Sequence, residues 1–379
     1  MNWKQDLITL SEELPRLHKN LFFRRNEWDM KEEILELEKE IPYLTDDEIL
    51  AAFTRWVASV GDSHTKIHGK RERIFPLAFY WFEEGIYVTH TSPEYSYLQY
   101  GQLEGVGGES ITSVIERLRP LISYENEYLF QEELPRLLNS PQILHGVKLA
   151  SQCGEITYQM KTGEGKRIDA VVTQCTDGIE AFYEVGPIGM GGSKYAKNNS
   201  IPYWFEYMES HKILYFQYNQ CVEDSAFPHE LLMQELLFIL NEKQVEKFVI
   251  DLRYNQGGSS YLLKPFLDKI PNLKALKRFQ KLYAIMGRAT FSSAFLHLIW
   301  LKMEKAILLG QPSGSKPNFY GELGFFELAN SRLMVSYSTR FFHFFKKDKV
   351  TLMPDYLFPT TFADYLANHD PVMDFILRQ

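Results

Sequence analysis

Apolar residues recur at three- and four-residue steps through the first sixty positions of the chain. Trp3, Leu7, Leu10, Leu14 and Leu17 share one face, the mark of a helix packed on one side. Met30, Ile34 and Leu37 begin a second helix on an acidic surface. Thr45-Asp46-Asp47-Glu48 is a capping box, in which a hydroxyl and a carboxylate satisfy the free N–H groups of a helix start. The helix it opens runs through Ile49, Phe53, Trp56 and Val60, and Gly61 offers a left-handed stop.

From about residue 73 the pattern turns strand-like. Phe75 to Phe82 and Gly85 to His90 predict two strands around a Glu-Glu-Gly turn. Leu103 to Ile111 predicts strand, turn and helix, with further strands near 155–160 and 169–174. Gly186-Pro-Ile-Gly-Met-Gly-Gly-Ser-Lys predicts a loop or linker. Beyond it strands and helices alternate: strands at 213–218, 248–252, 281–285 and 306–309, helices at 227–240, 261–267 and 292–303. That alternation implies a largely parallel sheet covered on its faces. The expected organisation is a helical bundle over 1–72, a mixed β-rich domain over 73–195 and an α/β core over 196–379.

Composition narrows the function classes. With 45% hydrophobic and 24% charged residues among 379, the chain is an ordinary globular one. Its 15% aromatic content suits well-filled cores or an aromatic-lined cleft. A net charge of −8 argues against sequence-independent nucleic-acid binding, which needs basic surface to displace counterions. Cys153, Cys175 and Cys221 are too scattered for a disulfide framework and form no CxxC pair, so neither disulfides nor zinc are expected. The start MNWKQDLITLSEEL lacks the apolar stretch of a signal peptide, and no run reaches the length of a membrane span. The expectation is a soluble, cytoplasmic protein.

Three segments could carry chemistry. In Phe248-Val-Ile-Asp-Leu-Arg-Tyr-Asn-Gln-Gly-Gly, a buried strand meets the charged pair Asp251 and Arg253. Gly257 and Gly258 then let the backbone turn and present N–H groups. In Gly287-Arg-Ala-Thr-Phe-Ser-Ser-Ala, a serine stands where a strand meets a helix N-terminus, beside free N–H groups that favour developing negative charge. Thr290, Ser292 or Ser293 could equally be no more than a helix cap. Val60-Gly-Asp-Ser-His-Thr places His64, a base near neutral pH, in a polar cluster, where Asp62 or Ser63 could instead form a plain turn. Arg340-Phe-Phe-His-Phe-Phe fits a strand or a cleft wall.

In this order, GDSHT at 61–65, DLRYNQGG, TFSSA, LLGQPSGSKPNFYGE at 308–322 and the late Met353-Pro-Asp-Tyr make the chain resemble the C-terminal processing peptidases and tricorn-core serine peptidases, the tail-specific protease superfamily. Retinoid-binding modules share that fold. The resemblance implies a ClpP/crotonase-like α/β core and a serine-type peptidase acting on peptides or unfolded protein, with no metal or organic cofactor. It makes Ser292 the nucleophile and Gly257 or Gly258, with the N–H of Ser293, the oxyanion donors. The tricorn-like type places the base at His64 beside Ser63, with an acid at Asp348 where that type carries glutamate. The processing-peptidase type would instead use a lysine, here Lys316. GDSHT favours the histidine, and so does chemistry. Imidazole is neutral near pH 7, whereas a lysine needs deep burial to become so. A non-catalytic ligand or peptide binder on the same fold is the other reading, and the Gly105 to Ile111 segment faintly resembles a peptide-terminus loop.

Overall fold

The apolar stripes of the first sixty residues become helices α1 (Trp3–Leu17), α2 (Glu27–Glu40) and α3 (Asp46–Ala58). The computed structural model describes residues 1–69, 72–176 and 201–379, so the glycine-rich run at 186–194 lies outside the described residues. The side chain of Asn2 caps α1 by accepting from the N–H of Gln5. The Thr45–Glu48 box is formed reciprocally at α3. Gly61 takes φ +76°, and its N–H closes on the carbonyl of Ala58. Leu7, Leu10, Leu14, Met30, Phe53 and Val60 fill the space between the helices.

The described residues group into two compact units. The first takes in 1–81, 85–176 and 316–350, and the second 82–84, 201–315 and 351–379. The first unit holds two sheets. One is β1 (Lys66–His68), β14 (Met334–His343) and β13 (Asn318–Glu327), in the order β1-β14-β13 and antiparallel throughout. Val335 of β14, with Leu328 and Leu333 of the β13–β14 connection, closes the core of α1–α3. The Arg340–Phe345 run thus lies largely in a strand, as far as His343. The other sheet contains β2 (Leu77–Phe82), β3 (Gly85–Thr91), β4 (Gln102–Val106), β5 (Glu109–Ser110), β6 (Glu155–Lys161) and β7 (Arg167–Thr173). Helices α4 (Ile111–Leu118), α5 (Glu127–Glu133) and α6 (Pro141–Gly146) add Val114, Leu118, Phe130 and Leu144 to its core. Of these three, the sequence pattern indicated only the first. The other two are short and begin at Asn126 and Ser140, caps that look like loop residues in sequence.

The second unit is built on one sheet. It comprises β8 (Tyr203–Met208), β9 (Ile213–Tyr218), β10 (Lys247–Asp251), β11 (Lys281–Met286), β12 (Ile307–Gly310) and β15 (Tyr356–Leu357), in the order β15-β12-β11-β10-β9-β8. All neighbours are parallel except β8 and β9. Every residue of β9 and β10 is buried, as expected of strands covered on both faces. On one face Tyr215, Val249, Ile285 and Leu309 pack with Val372, Met373 and Ile376 of α12 (Pro371–Arg378). On the other, Phe248 meets Phe266 and Phe279. The remaining helices are α7 (His229–Glu242), α8 (Lys264–Leu267), α9 (Ile270–Ala275), α10 (Ser292–Met303) and α11 (Phe362–Ala367). The helix expected over 261–267 is short and is followed by a second, because Pro265 and Pro271 each lack an N–H and each sit at a helix start. Asp355 of the late Met-Pro-Asp-Tyr run anchors the sheet edge, accepting from Lys302 Nζ at 2.7 Å and from the N–H of Leu308 at 2.9 Å.

Within the first unit one buried carboxylate ties α1 to the β13–β14 turn. Asp6 is fully buried and accepts from the N–H of Asn330 (3.0 Å), Asn330 Nδ2 (2.9 Å) and the N–H of Ser331 (2.7 Å). Burial pushes its pKa up, but these hydrogen bonds outweigh burial and hold it below the ordinary value. Asp6→Ala is expected to cost about 2–4 kcal/mol at pH 7. A depressed folded pKa gives stability that is present above the ordinary carboxylate range and lost as pH falls through the folded value. Urea unfolding should therefore show the gap between wild type and Asp6→Ala shrinking in acid. A gap that is the same at pH 7 and pH 3 would contradict the role given to the charge.

Candidate active site

The serine and the glycine turn assemble inside the second unit. Strand β10 ends at Asp251, which is fully buried. Its carboxylate accepts from Tyr215 Oη (2.6 Å), from the N–H of Arg253 (3.0 Å) and from Arg253 Nε (2.8 Å). Arg253 Nη1 reaches on to Asp370 Oδ2 at 2.8 Å. Burial opposes the guanidinium charge, but the two carboxylates more than offset it and hold its pKa well above the ordinary value. The charged pair at the strand end is thus a structural clamp on the start of α12.

Asn255 then shapes the turn. Its Oδ1 accepts from the N–H of Gly257 (2.9 Å), its Nδ2 donates to the carbonyl of Tyr218 (2.8 Å), and its own carbonyl accepts from the N–H of Phe291 (3.0 Å). Gly257 and Gly258 take φ +107° and +126°, where side chains are strained. A Cβ on Gly257 would lie 2.8 Å from Ser292 Cβ, and one on Gly258 would lie 2.4 Å from the carbonyl oxygen of Cys221. Both positions therefore require glycine. Gly257's N–H is committed to Asn255. Among the described residues, the N–H groups of Gly258 and Ser293 have no hydrogen-bond partner.

Ser292 opens α10 in the left-handed region, at φ +54°. A serine held there, with no helix-cap hydrogen bond from its side chain, is not acting as a cap. Its N–H donates to Ser315 Oγ at 3.2 Å, and Ser315 is fully buried. Ser293 Oγ donates to the carbonyl of Gly258 at 2.6 Å, tying the helix start to the turn. Thr290 Oγ1 bonds the carbonyl of Leu252 at 2.8 Å and so fixes the loop between β11 and α10.

The histidine cluster lies in the first unit, directly after α3, and it is buried. Asp62 is its hub. Oδ2 accepts from His18 Nε2 (3.0 Å), Thr65 Oγ1 (2.6 Å) and Ser338 Oγ (2.6 Å), and Oδ1 accepts from the N–H of His64 (3.0 Å). His18 Nδ1 accepts from the N–H of Asn20, so its proton sits on Nε2, facing Asp62. Burial raises the Asp62 pKa, but these donors more than reverse it. His64 is 4% exposed and stacks on Phe319 at 5.7 Å between ring centroids. Its Nδ1 is 3.9 Å from Asp62 Oδ1, too far for a hydrogen bond. Burial depresses its pKa to about 4, assisted by Lys66 and resisted by Asp62 and by a hydrogen bond to the Tyr320 backbone. The imidazole is therefore neutral at pH 7.

Ser63 Oγ donates to Glu125 Oε2 at 3.1 Å. Burial of the Glu125 carboxyl, and then the charge of Asp62, push its pKa up to about 8, while Ser63, Lys316 and Arg24 pull the other way. Asp348 is the acid that the resemblance suggested for this network. Its side chain is 64% exposed and pairs with Lys316 Nζ at 2.8 Å. Lys316 thus has a carboxylate as its side-chain partner. Sequence reasoning singled out neither Glu125 nor Ser315. Glu125 precedes the Asn126 cap of α5, and Ser315 sits in a Ser-Gly-Ser run. Both look like loop chemistry until the fold partly covers Glu125 and fully buries Ser315.

Two measurements check this geometry. Ser292→Gly relieves the left-handed strain and Ser292→Ala retains it. The glycine variant should be the more stable by about 1 kcal/mol in denaturant unfolding, and equal stability would refute the strain. The second concerns pH. The unfolded chain protonates its histidines near 6.5, but folded His64 stays neutral down to about 4. Stability should fall as pH drops between those values, and His64→Asn should remove about 3 kcal/mol of the fall. Glu125 acts in the opposite sense, since its folded carboxyl stays protonated up to about 8. Glu125→Gln should therefore gain stability relative to wild type as pH rises from 5 to 8. A pH-independent difference would contradict the buried-carboxyl assignment.

No family model matches the chain, and no curated protein sequence matches it. Solved structures do. Mature CPAF complexed with lactacystin superimposes with a TM-score of 0.70 at 12% identity, covering 100% of this chain and 97% of that one. Mature CPAF alone gives 0.68 at 12% identity, covering 100% and 95%. A candidate peptidase from Parabacteroides merdae gives 0.51 at 11% identity, covering 99% and 96%. At such identities the likeness is one of architecture: over its whole length this chain has the α/β fold of mature CPAF.

Proposed function

We propose that the chain is a serine-type peptidase of the C-terminal processing peptidase kind, with Ser292 as nucleophile and His64 as general base. The observation that carries this reading is the backbone of Ser292. A left-handed serine at a helix start, pressed against a two-glycine turn, is how a fold presents a hydroxyl beside backbone donors. The architecture shared with mature CPAF and the order of the sequence motifs support it.

In this mechanism Ser292 Oγ attacks the scissile carbonyl and its proton passes to neutral His64. The N–H groups of Gly258 and Ser293 hold the oxyanion, while Gly257 keeps the turn in shape through Asn255. The imidazolium returns the proton to the leaving amine, and water releases the acyl group by the same steps in reverse order. Asp62 holds the His64 backbone, and Ser63, bonded to Glu125, takes a positioning role. Lys316 and Asp348 serve each other as an ion pair outside this chemistry. Unfolded protein or peptide is the substrate class, acting in the cytoplasm.

The test is cleavage of an unstructured peptide, alongside fluorophosphonate labelling. Ser292→Ala and His64→Ala should each lower turnover by about 10⁴-fold or more, and Lys316→Ala should change it by no more than a few-fold. Activity should rise with pH through about 4, where His64 loses its proton, rather than near 6.5. If Ser292 resists the label in folded protein and Ser292→Ala cleaves as well as wild type, the assignment falls and a binding role on this fold takes its place.

A further inference from the structure

Away from the serine and histidine clusters, the first unit brings together three side chains of metal-ligating type. They are Asp47 in the first turn of α3, His145 near the end of α6 and Cys153 in the turn before β6. One ligand atom from each lies within 4.8 Å of the other two. His145 Nδ1 and Asp47 Oδ2 are 2.7 Å apart, and the Cys153 thiol hydrogen-bonds the same carboxylate. The side chains of Asp47 and His145 are only 16% and 23% exposed, and Cys153 is a half-buried free thiol.

The approach is built into the backbone. A Cβ on Gly146, next to His145, would sit 2.2 Å from the carbonyl oxygen of Asp47, so the two helices meet closely only because that residue is glycine. One carboxylate here receives protons from an imidazole and a thiol. A single divalent cation can be held by all three groups once the thiol proton leaves to solvent and the imidazole carries its N–H at Nε2, freeing Nδ1. We propose that Asp47, His145 and Cys153 form a binding site for a borderline-soft divalent cation of the zinc class, with a water molecule as fourth ligand.

The donor set selects the metal. Thiolate and imidazole suit zinc and cobalt, whereas magnesium and calcium take oxygen ligands. Metal–ligand bonds of about 2.0–2.3 Å in a tetrahedron need ligand atoms roughly 3.3–3.8 Å apart. His145 and Asp47 stand closer than that and no pair is more than 4.8 Å apart, so side-chain rotation within the cluster suffices. Nearby charges are mixed: Arg73 faces the thiol, while Lys148 is taken up by Glu48 at 3.1 Å. A bound cation would clip together the starts of α3 and β6 and the end of α6. Ligands separated by 98 and 8 residues carry no CxxC-like signature, which is why the sequence pattern argued against zinc.

This inference does not depend on the peptidase reading. The experiment is titration of chelator-stripped full-length protein with cobalt(II), then competition with zinc(II), followed by absorption spectroscopy. One equivalent should produce a thiolate-to-cobalt charge-transfer band with tetrahedral visible bands, and one equivalent of zinc should remove them. Cys153→Ser should abolish the charge-transfer band, and His145→Ala should weaken zinc binding tenfold or more. Absence of the band in wild type, or its persistence in Cys153→Ser, overturns the proposal. Cys153 lies in a half-buried turn, so its serine variant decides the matter even if His145→Ala does not fold.

Discussion

The absence of a side chain at Gly257 is the constraint from which the serine cluster follows. A Cβ there would press to 2.8 Å from Ser292 Cβ and 3.1 Å from the N–H nitrogen of Ser293. With nothing at that point, β10 turns tightly, α10 begins against the turn, and Ser292 can hold a backbone conformation that serine ordinarily avoids. The cost of that conformation is met by neighbours that commit specific bonds. Ser315 takes the Ser292 N–H, Ser293 returns a hydroxyl to Gly258, and Asn255 fixes the turn from inside. A site residue in a rare conformation persists only when its surroundings determine it this many times over.

Electrostatics in the first unit follow a parallel logic. Asp62 stays charged at full burial because its donors satisfy it from four directions. Its charge then helps keep a neighbouring carboxyl, Glu125, protonated near neutral pH. His64 lies between these influences, made neutral chiefly by the exclusion of water. One buried anion can thus shape the protonation of two groups that it does not bond through their side chains.

What the sequence made legible was whatever is written locally. The capping box at Thr45, the strand run into two glycines and the serine pair at a strand–helix junction each need only a few consecutive residues, and the structure reproduces each as an element. The α/β alternation from residue 213 onward was equally readable, because fully buried parallel strands are continuous apolar runs. The rest depends on distant partners. Nothing in Ser-Tyr-Glu-Asn-Glu distinguishes a carboxyl that will be enclosed beside Ser63 from one that will face water. Nothing in the late Lys-Lys-Asp-Lys run shows that Asp348 will settle on Lys316. Of the long β13–β14 hairpin only the run from Arg340 was read as a possible strand, because exposed phenylalanines such as Phe325 and Phe341 blur the two-residue alternation by which a half-buried strand is recognised.

The clamp at Arg253 has a temporal side. Its guanidinium is shared between Asp251, two residues away, and Asp370, more than a hundred residues later. During synthesis the arginine therefore has one of its two carboxylates at once and must wait for the other. Until residue 370 has emerged and α12 has docked, the strand end that leads into the glycine turn carries an incompletely neutralised cation in what will become dry interior. A nascent chain therefore cannot complete this turn early: the clamp behind it closes only once residue 370 has emerged and α12 has formed.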